Sequence, residues 1–89
     1  MFCLEGRLWK QNRIYDTAIY EEAGSDTRTH KVFRGLEEIC HRLDLENPIW
    51  LDSNIRSFQK HARTRFGPDS FIEKIDFDFL EIRILEEDY

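Results

Sequence analysis

The sequence predicts an α+β fold, a small two-layer sandwich in which a mainly antiparallel sheet carries two helices on one face. Two observations predict this class. Both ends of the chain alternate apolar with polar residues, as strands do, whereas two central stretches repeat apolar residues at helical spacing. The 89 residues are enough for one small domain, 1–89, and too few for two. The predicted element order is strand-strand-helix-strand-helix-strand.

Residues 2–10 and 13–22 are the first two predicted strands. They are joined by a tight turn at Gln11-Asn12, because Asn tolerates the left-handed conformation of such turns. A two-residue turn also fixes the register of the hairpin. The predicted cross-strand pairs are Leu4 with Ile19, Arg7 with Asp16, and Leu8 with Tyr15. This register places Trp9 and Tyr20 together on the other face of the hairpin.

Residues 28–44 are the first predicted helix, with Ser25, Asp26 or Thr27 as its N-terminal cap. Its apolar stripe comprises Val32, Phe33, Leu36, Ile39, Cys40 and Leu43. Gly35 lies inside this helix at a cost of about 1 kcal/mol relative to Ala. We therefore expect that a close backbone contact requires Gly35.

The second half of the chain supplies the remaining elements. Asn47-Pro48 ends the first helix, and the apolar run Ile49-Trp50-Leu51 predicts a short buried strand. A second helix is predicted over 53–65, with Gly67-Pro68 after it. The last two predicted elements are a helical turn within 69–75 and a strand over 77–86.

Charge is unevenly distributed along the chain. The formal net charge is −5, but residues 1–27 carry −2, residues 28–66 carry +3 and residues 67–89 carry −6. The basic middle and the acidic end either pair with each other within the fold or face partners of opposite charge. No apolar stretch is long enough for a membrane span, and no signal peptide is visible. We therefore expect a cytoplasmic protein that does not bind membranes.

Trp9 and Tyr20 are the candidate interaction residues. A pair of exposed aromatic side chains on one sheet face can anchor a protein interface. A second copy of the chain on this face would explain why the face is half apolar. The sequence thus favours a protein-interaction or homo-oligomeric module, with a protein partner or a homodimer bound by this face or by the acidic last strand.

The alternative is phosphate or nucleic-acid binding through residues 53–66, which contain four basic residues and no acidic one. The candidates are Arg56, Lys60, Arg63 and Arg65. The first three share one face of the predicted helix and could hold phosphate groups. The acidic overall charge argues against this function, because nucleic-acid-binding domains are usually basic. A solvent-exposed helix face whose charge is compensated by the acidic last strand explains the same pattern.

Nothing in the sequence predicts catalysis, a cofactor or a metal site. The serines lie in no nucleophile motif, and four scattered glycines form no phosphate loop. Cys3 and Cys40 are far apart and are expected to be buried, reduced thiols. A metal-assisted enzyme using Asp52, Asp76 and Asp78 is the weakest alternative, because Asp-x-Asp alone is no motif.

Three segments carry a resemblance to known sequences. They are Asp26–Phe33, the run Pro48–Ile55 and the end Ile75–Ile82. Together they resemble short hypothetical proteins of anaerobic Gram-positive bacteria, over most of the chain. The resemblance implies a bacterial, cytoplasmic context, and it brings no activity, ligand or catalytic residue.

Overall fold

A computed structural model describes residues 1–87, so that Asp88 and Tyr89 of the acidic tail lie outside the described residues. Within that range the elements are β1 (Phe2–Lys10), β2 (Arg13–Glu22), α1 (Arg28–Arg42), α2 (Asp52–His61), β3 (Arg63–Phe66), a 3₁₀ turn (Pro68–Ser70) and β4 (Phe79–Glu86). The strands form one antiparallel sheet in the order β2-β1-β4-β3. The predicted α+β class is confirmed.

The β1–β2 hairpin is confirmed, but its predicted register holds only beside the turn. Gln11 and Asn12 adopt the left-handed conformation, with φ of 52° and 64°. Trp9 then faces Ile14 as predicted, whereas Leu8 faces Asp16, because Tyr15 is an extra residue in a β-bulge. The three predicted pairs are therefore wrong. The observed partners are Tyr20 for Leu4, Thr17 for Arg7 and Asp16 for Leu8.

The bulge decides which side chains of β2 reach the core, since a one-residue slip turns every later side chain to the other face. Ala18 and Tyr20 pack against the core, whereas Ile19 is 44% exposed. The predicted pairing would have placed Ile19 inside. Trp9 and Tyr20 consequently lie on opposite faces of the sheet.

The third strand lies at Arg63–Phe66, after α2, and not at Ile49–Leu51 as predicted. Ala62 adopts the left-handed conformation (φ 57°) and ends α2 there. The next four residues alternate exposed with buried, which is the period of a strand. The prediction extended the helix because Phe58, Ala62 and Phe66 also stand at helical spacing. The observed order is therefore strand-strand-helix-helix-strand-strand.

Helix α1 lies close to the sheet. Thr27 accepts a hydrogen bond from the backbone N–H of His30, which makes it the cap among the three predicted candidates. A Cβ atom at Gly35 would lie 2.9 Å from the side chains of both Leu4 and Tyr20. The predicted close contact at Gly35 is confirmed, and side chains rather than backbone make it.

The core lies between the helices and one face of the sheet. Its fully buried members come from β1, α1, β3 and β4, and include Phe2, Leu4, Ile39, Phe66, Leu80 and Ile82. Trp50, in the segment between α1 and α2, packs its ring edge-to-face against Phe58 and Phe66 and so joins α2 to β3. Both helices thus cover the same sheet face, as predicted.

Candidate functional site

The sheet face opposite the helices, here called the outer face, is covered by no element within residues 1–87. Its side chains form rows that run across the strands, because residues paired in an antiparallel sheet point to the same side. The row at one end, here called the aromatic row, consists of Ile14 on β2, Trp9 on β1 and Phe79 on β4. The Trp9 and Phe79 rings stack with centroids 5.9 Å apart.

The next two rows of the outer face carry alternating charges. Glu81 is 7% exposed and accepts hydrogen bonds from Trp9 Nε1 (3.2 Å) and Arg65 Nε (3.4 Å). The Arg65 guanidinium also lies 4.5 Å from the centre of the Phe79 ring, a cation–π contact. These contacts join the aromatic row to β3 and hold its side chains in place.

Glu5 forms the central contacts of the third row, which contains Glu5 on β1, Arg83 on β4 and Arg63 on β3. Its Oε1 accepts hydrogen bonds from Arg7 Nε and Arg83 Nε, both at 2.8 Å. Arg83 in turn faces Arg63 across the β3–β4 pair. Like charges directly opposite each other destabilise a sheet. Arg83 is neutralised by Glu5, whereas Arg63 has no acidic partner within residues 1–87.

The predicted interaction residues are separated by the sheet. Trp9 lies on the outer face, but Tyr20 lies on the helix side, with its ring beside Gly35. The Tyr20 hydroxyl donates to Glu22 Oε1 at 2.6 Å, and this bond to a carboxylate is the main cause of its raised pKa. The expectation that Trp9 and Tyr20 share one face is wrong, because the bulge at Tyr15 turns Tyr20 inward.

The predicted phosphate-binding residues are divided between two elements. Arg56 and Lys60 lie on α2, and Arg63 and Arg65 lie on β3, since the helix ends before them. The last two line a cavity of about 280 Å³ between α2 and β3, here called the β3 cavity. Its other lining residues are Ser53, Asn54, Ser57, Thr64 and Glu81.

Helix α2 is held against β3 by side-chain hydrogen bonds. Asn54 is 5% exposed, and its Nδ2 donates to Thr64 Oγ1 (2.9 Å) and to the Arg65 carbonyl (2.8 Å). Its Oδ1 accepts from the Leu51 N–H at 3.0 Å. Ser57 Oγ donates to the Arg63 carbonyl at 2.9 Å. The walls of the β3 cavity are therefore fixed by the fold.

The acidic end of the chain meets the basic middle only in part. Within the described residues, Arg65 contacts Glu81 and Arg28 contacts Glu87, while Glu86 lies 3.6 Å from the terminal amine. Arg56, Lys60 and Arg63 have no acidic partner in that range. An ion pair within the described residues thus compensates the charge of one of the four predicted phosphate-binding residues, Arg65.

The remaining candidates do not assemble into a site. Within residues 1–87 no three His, Cys, Asp or Glu side chains are close enough to hold a metal, so Asp52, Asp76 and Asp78 form no such cluster. Cys3 and Cys40 are both free thiols. Burial raises the pKa of Cys40 to about 12, whereas Cys3 is only partly buried. The expectation of two buried thiols therefore holds for Cys40.

Phe79 and Glu81 were missed as site residues. Both lie in the predicted last strand, 77–86, where Glu81 is one of the acidic residues that give the end of the chain its negative charge. A Glu that lies beside Arg and Trp on the neighbouring strands is expected to form hydrogen bonds with them, so the residue types alone are compatible with this site. Identifying Glu81 as a site residue required the strand order β1-β4-β3, which the sequence did not predict.

Comparisons with models of protein families, with curated proteins and with solved structures found no match to this chain. The resemblance to bacterial hypothetical proteins and the cytoplasmic location therefore stay predictions. No helix within residues 1–87 is long and apolar enough to cross a lipid bilayer.

Proposed function

We propose that the protein is an interaction module that binds a second copy of itself through the outer face. The observation that carries the proposal is the aromatic row, Ile14–Trp9–Phe79, on a sheet face that nothing in residues 1–87 covers. Ile14 is 42% exposed and extends the apolar surface to β2. Aromatic side chains and arginine are the residue types most enriched in the energetic centres of protein interfaces.

The aromatic side chains of the outer face are held by their neighbours before binding. Trp9 is held by its hydrogen bond to Glu81 and by stacking on Phe79, and Arg65 packs over Phe79. Side chains that are already ordered lose little conformational entropy when a partner binds. This order lowers the entropic cost of an interface built from these residues.

The face is suited to a copy of itself. In a two-fold dimer each subunit contributes the same patch. The centre of the sheet lies between β1 and β4. If the two-fold axis runs parallel to the strands at this centre, Trp9 of one copy lies over Phe79 of the other. In the next two rows, Arg7 pairs with Glu81 and Glu5 pairs with Arg83. The same axis places each of these side chains over a side chain of opposite charge in the other copy. Two sheets packed in this way lie about 10 Å apart.

The test is the oligomeric state of Ile14→Glu. A charge placed in the aromatic row has to be desolvated in the dimer, so we expect the dimer dissociation constant to rise about tenfold or more. Sedimentation equilibrium over a range of protein concentrations measures this constant for wild type and variant. Ile14 lies outside the core, so far-UV circular dichroism is expected to stay unchanged.

The matched control is Ile72→Glu, which makes the same change at a residue 84% exposed and outside the sheet. We expect this variant to dimerise like the wild type. A wild-type protein that stays monomeric at the highest concentration, or a dimer that Ile14→Glu leaves intact, rejects the proposal.

A further inference from the structure

The geometry points to a binding site for a phosphate group in the β3 cavity, with Arg63 as its main cation. This inference goes beyond the proposed dimer and does not depend on it. Arg63 faces Arg83, which lies four residues along β4 from Phe79 of the aromatic row. The β3 cavity opens between β3 and α2, at the edge of the sheet.

The first argument is the uncompensated charge of Arg63. The Arg63 guanidinium has no hydrogen-bond or ion-pair partner in the described part of the chain, and it stands opposite the like-charged Arg83. Glu5 compensates the charge of Arg83, and an anion beside Arg63 would do the same for Arg63. Arginine presents a planar fork of N–H donors that matches two phosphate oxygens.

The second argument is the set of donors beside Arg63. Ser53 and Ser57 stand one helical turn apart on α2 and both line the β3 cavity. The Ser53 hydroxyl makes no hydrogen bond within residues 1–87, so it can donate to a bound oxygen. Ser57 Oγ donates to the Arg63 carbonyl and so fixes α2 relative to the strand that carries Arg63.

The third argument is the charge on the side of α2 that carries Ser53 and Ser57. Arg56 and Lys60 follow Ser53 and Ser57 by three positions, so they lie on the same side of α2. Neither has an acidic partner in the described range. Glu81 also lines the β3 cavity, but Arg65 already compensates its charge. The lining and the neighbouring basic side of α2 together therefore favour an anion.

The volume of the β3 cavity limits the size of the ligand that it can enclose. A volume of about 280 Å³ lies below the range of cavities that enclose drug-sized ligands. It is large enough for a phosphate group whose remaining substituents extend into solvent. The phosphate can belong to a small phosphorylated molecule or to a nucleic-acid backbone, and the chemistry at Arg63 is the same for both.

The experiment is a titration of the ¹⁵N-labelled protein with inorganic phosphate, followed by amide chemical shifts at constant ionic strength. We expect saturable shifts at Ser53, Ser57 and Arg63. In Arg63→Gln the loss of a charge-assisted contact is expected to weaken binding about tenfold. The matched control is Arg13→Gln, which removes the same charge on β2, the opposite edge of the sheet.

The same titration with a nucleoside monophosphate and with a short single-stranded oligonucleotide distinguishes the two sources. A backbone site binds the oligonucleotide more tightly, and its affinity falls steeply as salt rises. A site for a small phosphorylated molecule binds the monophosphate at least as well. Shifts that do not saturate, or that are equal in Arg63→Gln and the wild type, overturn the inference.

Discussion

At the residue scale, two glycines mark places where α1 lies against the sheet, and the sequence analysis predicts the contact at one of them. Gly35 interrupts a helix, so its cost relative to Ala predicts a close contact, and Leu4 and Tyr20 make that contact. Gly6 has the same role in β1. An isolated Gly inside a strand indicates close approach of another group. A Cβ atom at Gly6 would lie 2.5 Å from Ile39 Cγ2 of α1.

The contact between Gly6 and Ile39 leads to a prediction about stability. Gly6→Ala is expected to lower the free energy of unfolding by about 1–3 kcal/mol, because the core has no room for the methyl group. Ile39→Ala alone should cost about 2–5 kcal/mol, since it leaves a cavity and removes Cγ2. In the double variant the new methyl occupies part of that cavity. The combined loss should therefore fall short of the sum by about 0.5–3 kcal/mol.

Urea unfolding of the four proteins measures this coupling. Gly67→Ala is the control, because a Cβ atom there meets no atom within 4 Å and the backbone φ is negative. Its free energy of unfolding is expected to be unchanged or slightly higher. Strict additivity of Gly6→Ala and Ile39→Ala would show that the two sites do not share space.

At the scale of elements, the errors of prediction arise where two patterns coincide. Phe58, Ala62 and Phe66 fit a helix, while Thr64 and Phe66 fit a strand, and the left-handed Ala62 decides between them. The bulge at Tyr15 is equally hidden, because both registers of the hairpin pair apolar residues. Local sequence therefore predicts the fold class, but the count of four strands agrees only because the wrong strand at Ile49–Leu51 is offset by the missed β3. Tertiary contacts with β4 set the boundary of β3.

The connection between β2 and α1 is held by an ion-paired cluster that leads to a pH prediction. Arg34 donates to Glu22 (2.6 and 3.0 Å) and to Asp26 (2.9 Å). Hydrogen bonding to Arg34 is the main cause that lowers the pKa of Asp26 to about 2, and it also lowers the pKa of Glu22. A carboxylate with a lowered folded-state pKa stabilises the fold above its unfolded pKa, near 4. That stability is lost as the pH falls towards 2.

The variant Arg34→Gln removes the cause of both shifts. We expect its urea midpoint to lie below that of the wild type at pH 6, and the difference to shrink between pH 4 and pH 2 as the carboxylates protonate. Arg13→Gln is the control, since Arg13 has no ion pair within residues 1–87, and its effect should not follow this pH range. A wild-type advantage over Arg34→Gln that is the same at pH 6 and pH 2 would contradict the role of the cluster.

At the scale of the whole molecule, the candidate site depends on how the last strand enters the sheet. β4 comes last among the elements but lies in the centre, between β1 and β3. This insertion brings Trp9 to Arg65 through Glu81, residues that local pattern cannot join. The sequence shows a basic middle and an acidic end of the chain. Their partial pairing could be seen only after strand order was known.

The same topology predicts how the molecule opens. β1 and β4 each have neighbours on both sides, whereas β2 and β3 lie at the edges. Paired amides of β1 and β4 should therefore exchange with solvent only through global unfolding, with one common free energy of opening. Hydrogen exchange under native conditions measures this free energy residue by residue. If β4 exchanged about tenfold faster than β1, the β3–β4 pair would open as a separate unit. The outer face would then be a transient surface, because Phe79 and Glu81 would leave Trp9 whenever β4 detached.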